Sequence, residues 1–159
     1  MAAIKKAVNL DVDIIEVDVQ ITRDDVPVIR HDRLLDRTTN TSGYTTDFFW
    51  TEYEKSIRLK NGEKILSLEE LCFYISQKRQ KLYLDVKTFG NEASVLNICL
   101  KHLRPDQFYY GSFHNHSIKL VKQINPDIQT IMIIEGNPIN IQMVIENAGC
   151  DIVAAGFET

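Results

Sequence analysis

Two carboxylates spaced two residues apart, Glu16 and Asp18, lie inside the run Ile14-Ile15-Glu16-Val17-Asp18-Val19. Alternate residues of an extended strand point to one face, so both acids would share it. Two acids held together on an otherwise apolar strand repel each other unless a cation bridges them. The same spacing also suits a solvent-facing stripe on an amphipathic strand. A second run, Leu82-Tyr83-Leu84-Asp85-Val86-Lys87, repeats the arrangement, with Asp85 and Lys87 on a common face. Ligands of α/β sheets gather at the carboxyl ends of the strands, where three acids and a lysine favour a site over a surface stripe. An oxygen-only set of Glu16, Asp18 and Asp85 suits a hard divalent cation, Mg²⁺ or Ca²⁺, rather than zinc.

His31-Asp32 closes a second strand-like piece, 27–31, that follows the polar break Arg23-Asp24-Asp25. An imidazole there can move protons near neutral pH, or it is a loop histidine held by its neighbour. His102 reads as a helix-surface residue. His114 and His116 follow Gly111-Ser112-Phe113 and could line the rim, but read more readily as helix-start residues.

These groups need elements to position them. Residues 2–10 carry apolar positions on one side and Lys5-Lys6 on the other, which predicts a short helix ending near Asn9. Strands are predicted over 13–21 and 27–31. The segment 33–64 is polar and rich in Thr, Asn and Ser, yet holds Phe48, Phe49, Trp50 and Tyr53. A structureless stretch of that length is uncommon inside a compact domain, so it reads as a small insertion or lid. Ser67 with Glu70 three residues on offers a capping box for a helix to about Gln77. Strands over 82–86, 108–112, 128–134 and 152–155 then alternate with helices over 92–103, 117–124 and 139–147. Such alternation implies right-handed crossovers in a parallel α/β sheet. No Gly-x-Gly-x-x-Gly follows an early strand, so the dinucleotide-binding version lacks its phosphate loop. The other version, a (β/α)8 barrel, needs about 250 residues, so 159 would form a partial TIM barrel with an insertion after the second strand.

Composition bounds the remainder. The chain is 44% hydrophobic and 25% charged, the balance of one ordinary globular domain. Its apolar runs fall far short of the roughly 20 residues that span a bilayer. A net charge of -4 argues against a broad grip on nucleic acid and leaves room for a small anionic substrate. No signal peptide is visible at the start, so a cytoplasmic protein is expected. Cys72, Cys99 and Cys150 have no paired spacing and read as buried, reduced thiols.

The run IIEVDVQITRDDVPVIRHDRLLDRTT resembles the glycerophosphodiester phosphodiesterase signature, an acid pair on a strand followed by His-Asp and Leu-x-Arg-Thr-Thr. Leu66-Ser67-Leu68-Glu69-Glu70 is similar to that family's Thr-Leu-Glu-Glu segment, and Gly111-Ser112-Phe113 to its Gln-Ser-Phe. The resemblance implies a barrel that hydrolyses small glycerophosphodiesters to an alcohol and glycerol 3-phosphate. It implies a divalent metal on Glu16, Asp18 and Asp85, His31 as one of two catalytic histidines, and Lys87 beside the phosphate in a catalytic and substrate-binding role. Asp85 stands where the family usually has Glu. The family's opening His-Arg-Gly strand, its Glu-Asn-Thr helix start and its closing strands have no counterpart in the chain, which implies a barrel truncated at both ends. Open barrel edges imply self-association. Two alternatives stay open: an inactive fragment or binding module of the same fold, and a related barrel phospholipase acting on sphingolipid or lysophospholipid headgroups, for which Phe48, Phe49 and Trp50 could form a docking loop.

Overall fold

A computed structural model describes residues 1–136 and 139–156. Among them, six strands form one sheet in the order β2-β1-β3-β4-β5-β6. They are β1 (Ile14–Ile21), β2 (Pro27–Ile29), β3 (Lys81–Val86), β4 (Phe108–Ser112), β5 (Gln129–Glu135) and β6 (Ile152–Gly156). β2 folds back antiparallel on β1, while β1 and β3 to β6 pair in parallel. Helices α1 (Ala2–Asn9), α2 (Trp50–Lys55), α3 (Leu68–Ile75), α4 (Glu92–His102), α5 (Asn115–Ile124) and α6 (Ile141–Ala148) complete the chain. Every parallel strand is added beyond the last in sequence order with a helix between, the winding of a (β/α) barrel; a doubly wound sheet would reverse direction partway.

Strand alternation sorts the residues onto two faces. Ile15, Val17, Val19 and Ile21 of β1 are buried with Leu82, Leu84 and Val86 of β3 against the helices. Each such side chain contributes about 1.5–3 kcal/mol by leaving water. Glu16, Asp18 and Gln20 take the other face. There the Tyr83 ring lies over Gly111, where a Cβ would overlap it, so the inner surface needs glycine at that point. Helix α3 starts as expected: the Ser67 hydroxyl accepts from the Glu70 N–H at 3.1 Å and the Glu70 carboxylate accepts from the Ser67 N–H at 2.9 Å.

Residues 33–64 are not an open loop. Short bridges pair Leu34 with Tyr44, Thr39 with Leu59 and Arg58 with Lys64. Val28, Leu35, Tyr53, Ile57 and Ile65 form a second hydrophobic cluster beneath them, with Phe48 and Trp50 packed against it. The Trp50 ring stacks on Tyr53 and Phe48 meets it edge-on. Two of the three aromatics offered as a docking loop therefore anchor a core; Phe49 alone of them is exposed, beneath the Arg23 guanidinium at 4.9 Å.

Smaller corrections concern the histidines and one strand end. β2 stops at Ile29 because the carbonyl of His31 is taken by the Gln20 side chain at 2.9 Å in place of a strand partner. His102 is not a surface residue: its side chain is 16% exposed, packed edge-on to Phe73 and near Glu69. His114 occupies the cap position of α5 without capping it through its side chain. Cys72 and Cys99 are buried in contact, Sγ to Sγ 3.9 Å, and Cys150 is half-buried; all three are free thiols. No helix among the described residues is long and apolar enough to cross a membrane.

Candidate active site

Parallel register sets Glu16 opposite Tyr83 and Asp18 opposite Asp85. Carboxylate oxygens of Glu16, Asp18 and Asp85 consequently lie within 4.8 Å of one another at the carboxyl end of the sheet. Unit charges at such a distance repel by about 3–4 kcal/mol at an effective dielectric constant near 20, more than an ordinary hydrogen bond returns. Lys87 answers part of that repulsion. Its ammonium is 2.8 Å from Asp18 Oδ1 and bonds Asp85 Oδ2 as well. The lysine expected beside a phosphate is thus held between two carboxylates, being the nearest cation to an uncompensated acid group.

The titration behaviour follows. Partial burial, then repulsion from Asp18 and Asp85, pushes the Glu16 carboxyl above the usual range. Burial also pushes Asp85 up, against the hydrogen bond and charge of Lys87. Burial opposes the Lys87 charge, but its bonds to Asp18 and Asp85 prevail and raise it. Burial, with Asp85 and Glu16 nearby, lifts the Tyr83 phenol to about 12, so it stays a neutral donor.

Two observations fit a divalent cation to these residues. Three carboxylates against one ammonium leave two negative charges. Asp85 Oδ1 is buried and has no hydrogen-bond partner in the protein, a costly state for a carboxylate oxygen that a metal would relieve.

His31 stands at the mouth of the neighbouring cleft, near enough for its charge to bear on Glu16 and Asp85. Its Nδ1 is 2.9 Å from Asp32 Oδ1. Arg37 grips the same carboxylate twice, Nε to Oδ2 at 2.7 Å and Nη2 to Oδ1 at 2.8 Å. Those bonds, first from Arg37 and then from His31, hold the Asp32 carboxyl well below the usual range. An ionised Asp32 only accepts, so Nδ1 of His31 is the donor and Nε2 is left free to exchange a proton.

The cleft, of about 670 Å³, runs from Lys87 and Gln20 past His31 to Arg33, Leu34, Arg37 and Tyr44. Arg30 shapes its wall by donating to the carbonyls of Asp32 at 2.7 Å and Leu34 at 2.5 Å. Sequence reasoning did not assign Gln20, Tyr83 or Arg37 to the site. Alternation from Asp18 and Asp85 puts Gln20 and Tyr83 on the acidic face, a usable signal. Arg37 is marked by the Leu-x-Arg-Thr-Thr run, but its pairing with Asp32 comes from the fold of its loop, which that run does not give.

Comparison with known proteins adds the following. The sequence profile of the glycerophosphoryl diester phosphodiesterase family matches residues 1–85. A glycerophosphodiester phosphodiesterase of Caldanaerobacter subterraneus subsp. tengcongensis is 31% identical over 140 residues, covering 81% of this chain and 58% of that protein. One from Bacillus subtilis is 29% identical over 153 residues, covering 81% and 52%. The chain therefore spans between about half and three-fifths of the length of these relatives. Among solved structures, a phosphodiesterase of Oleispira antarctica in complex with the product sn-glycerol-3-phosphate superposes with a TM-score of 0.87 at 24% identity, covering 97% of this chain and 67% of that one. A glycerophosphodiester phosphodiesterase of Agrobacterium tumefaciens gives 0.80 at 22% identity, covering 97% and 68%. Likeness at these identities speaks to fold, and the fold is part of a (β/α)8 barrel.

Proposed function

The chain belongs to the glycerophosphoryl diester phosphodiesterase family, and from that premise we propose that it serves a metal-dependent hydrolase that cleaves glycerophosphodiesters to an alcohol and glycerol 3-phosphate. The observation that carries this reading is the convergence of Glu16, Asp18 and Asp85 beside Lys87, with one buried oxygen of Asp85 unpartnered. The Oleispira antarctica phosphodiesterase, whose structure is a complex with the product sn-glycerol-3-phosphate, supports the choice of product.

Glu16, Asp18 and Asp85 would hold Mg²⁺ or Ca²⁺. Such an ion supplies Lewis-acid polarisation of a phosphoryl oxygen when bound. Lys87, at the boundary of acid cluster and cleft, pairs with a nonbridging phosphate oxygen. His31 passes a proton through Nε2, to the departing alkoxide or from the attacking hydroxyl. Asp32, fixed by Arg37, orients the ring.

Release of glycerol 3-phosphate from glycerophosphoglycerol, glycerophosphoinositol and glycerophosphocholine, with Mg²⁺ or Ca²⁺ present, tests the reading. Turnover of at least one compound, lost in both Glu16→Gln and His31→Ala, is expected. Absence of release from all three, or turnover indifferent to both substitutions, overturns it.

A further inference from the structure

A second cavity, of about 280 Å³, adjoins the cleft and shares Lys87, Arg33 and Tyr44 with it; Thr88, Phe89 and His114 complete the part that matters here. Its position next to Lys87 is where the alcohol half of a diester would lie if the phosphate sat on that lysine. Among the described residues no carboxylate lines it. Its volume suits a small headgroup and not an acyl chain.

The wall is built to donate. The Arg33 backbone is pinned, its carbonyl accepting from the Thr45 N–H at 2.8 Å and the Thr45 hydroxyl at 3.1 Å, so the side chain is delivered from a fixed point. None of the ion pairs among the described residues includes Arg33. Thr88 has a buried hydroxyl oxygen with no partner. Phe89 lies against the imidazoles of His114 and His116, ring centroids 6.2 Å apart in each case, which fixes the far wall. His114 is also the cap residue of the ten-residue helix α5, whose first turn adds partial positive charge.

A quaternary ammonium headgroup is held by aromatic faces that attract a cation. Here Tyr44 and Phe89 are interleaved with Arg33, whose guanidinium has no ion-pair partner among the described residues and repels one; the charge of Lys87 is already taken by Asp18 and Asp85. A guanidinium instead matches a phosphate or carboxylate with two parallel hydrogen bonds. We propose that this cavity is the headgroup subsite of the phosphodiesterase reading on which it rests, and that Arg33 makes it select alcohols bearing an anionic group over cationic and uncharged ones.

Titration calorimetry in the His31→Ala background, where turnover is slowed, compares glycerophosphoinositol with glycerophosphoinositol 4-phosphate under one buffer and one divalent cation. The two differ by a single phosphate. The phosphorylated compound is expected to bind roughly 10- to 100-fold tighter, the value of one hydrogen-bonded charge contact. Arg33→Gln should abolish the preference and Arg33→Lys should keep part of it, with melting temperatures confirming that each variant folds. Equal affinities in the parent, or a preference that survives Arg33→Gln, overturn the subsite. If the preference holds but the His31-bearing chain releases glycerol 3-phosphate from neither compound, nor from glycerophosphoglycerol or glycerophosphocholine, the phosphodiesterase reading falls while the anion preference stands.

Discussion

Asp18 of β1 and Asp85 of β3 face each other as register partners across a parallel strand pair, with the Lys87 ammonium against both carboxylates. Like charges directly opposite in a sheet destabilise it. The arrangement makes sense if positive charge is part of the site, supplied by Lys87 alone or by Lys87 with a cation.

Lys87→Met should therefore destabilise the metal-free protein. The ammonium is mostly buried, 17% exposed, and its loss leaves two carboxylates without their counter-charge. A drop of about 2–4 kcal/mol is expected in urea unfolding, within the range for breaking a buried ion pair. Millimolar Mg²⁺ or Ca²⁺ should recover part of it. Unchanged stability without metal would show that the repulsion is relieved elsewhere.

His31 and Asp32 separate chemistry from positioning. His31→Ala should lower turnover by about 10²- to 10⁴-fold, the usual contribution of a proton-transfer group. Asp32→Ala leaves the imidazole in place but unoriented, so kcat should fall by about 10- to 100-fold with KM little changed, on the scale seen when an orienting partner is lost. Equal losses in both variants would mean that Asp32 touches substrate itself.

Tyr53 tests whether residues 33–64 fold as a packed unit. Its ring is 1% exposed at the centre of the second cluster and its hydroxyl donates to the Thr45 carbonyl at 3.1 Å. Tyr53→Phe should cost about 1 kcal/mol and Tyr53→Ala about 3–5 kcal/mol. The alanine variant should also become sensitive to limited proteolysis within 33–64. Proteolysis equally fast in the parent would contradict the packing.

Asp151 gives a pH-dependent test of the sheet away from the site. Its carboxylate accepts from the Thr130 N–H at 2.7 Å, the Thr130 hydroxyl at 3.0 Å and Lys122 Nζ at 2.7 Å. Burial works to raise the carboxyl, but the bonds from Lys122 and Thr130 prevail and lower it from 3.8. A depressed folded value adds stability above the unfolded one, and that stability is lost as pH falls through the folded value. The gap between the parent and Asp151→Ala should be about 1 kcal/mol at pH 7, allowing for partial solvent screening, and should shrink as pH falls below 3.8 and through the folded value. A gap that is constant over that window would contradict the ion-paired state.

Much of this site was readable before the fold was known, for physical reasons. Period-two alternation placed Glu16 with Asp18 and Asp85 with Lys87, and the strand-helix order brought β1 beside β3, which is all their convergence requires. The same alternation would have added Gln20 and Tyr83. What could not be read was local to loops. Polar composition concealed the cluster around Tyr53 because its members, from Val28 to Ile65, are scattered at no regular spacing. Arg37 meets Asp32, and Arg33 meets the second cavity, through loop geometry set by bonds such as Leu35 N–H to the Gly43 carbonyl at 2.8 Å, which no period announces.

Whether Glu16, Asp18 and Asp85 form a divalent-cation site is tested most directly by titration calorimetry of the chain with Mg²⁺ and with Ca²⁺. One ion per chain should bind, and saturating metal at 100 times its Kd should raise stability by about 2.7 kcal/mol. Both effects should be lost in Asp85→Asn and weakened in Glu16→Gln. Absence of binding by either ion, or binding that survives both substitutions unchanged, would contradict the account.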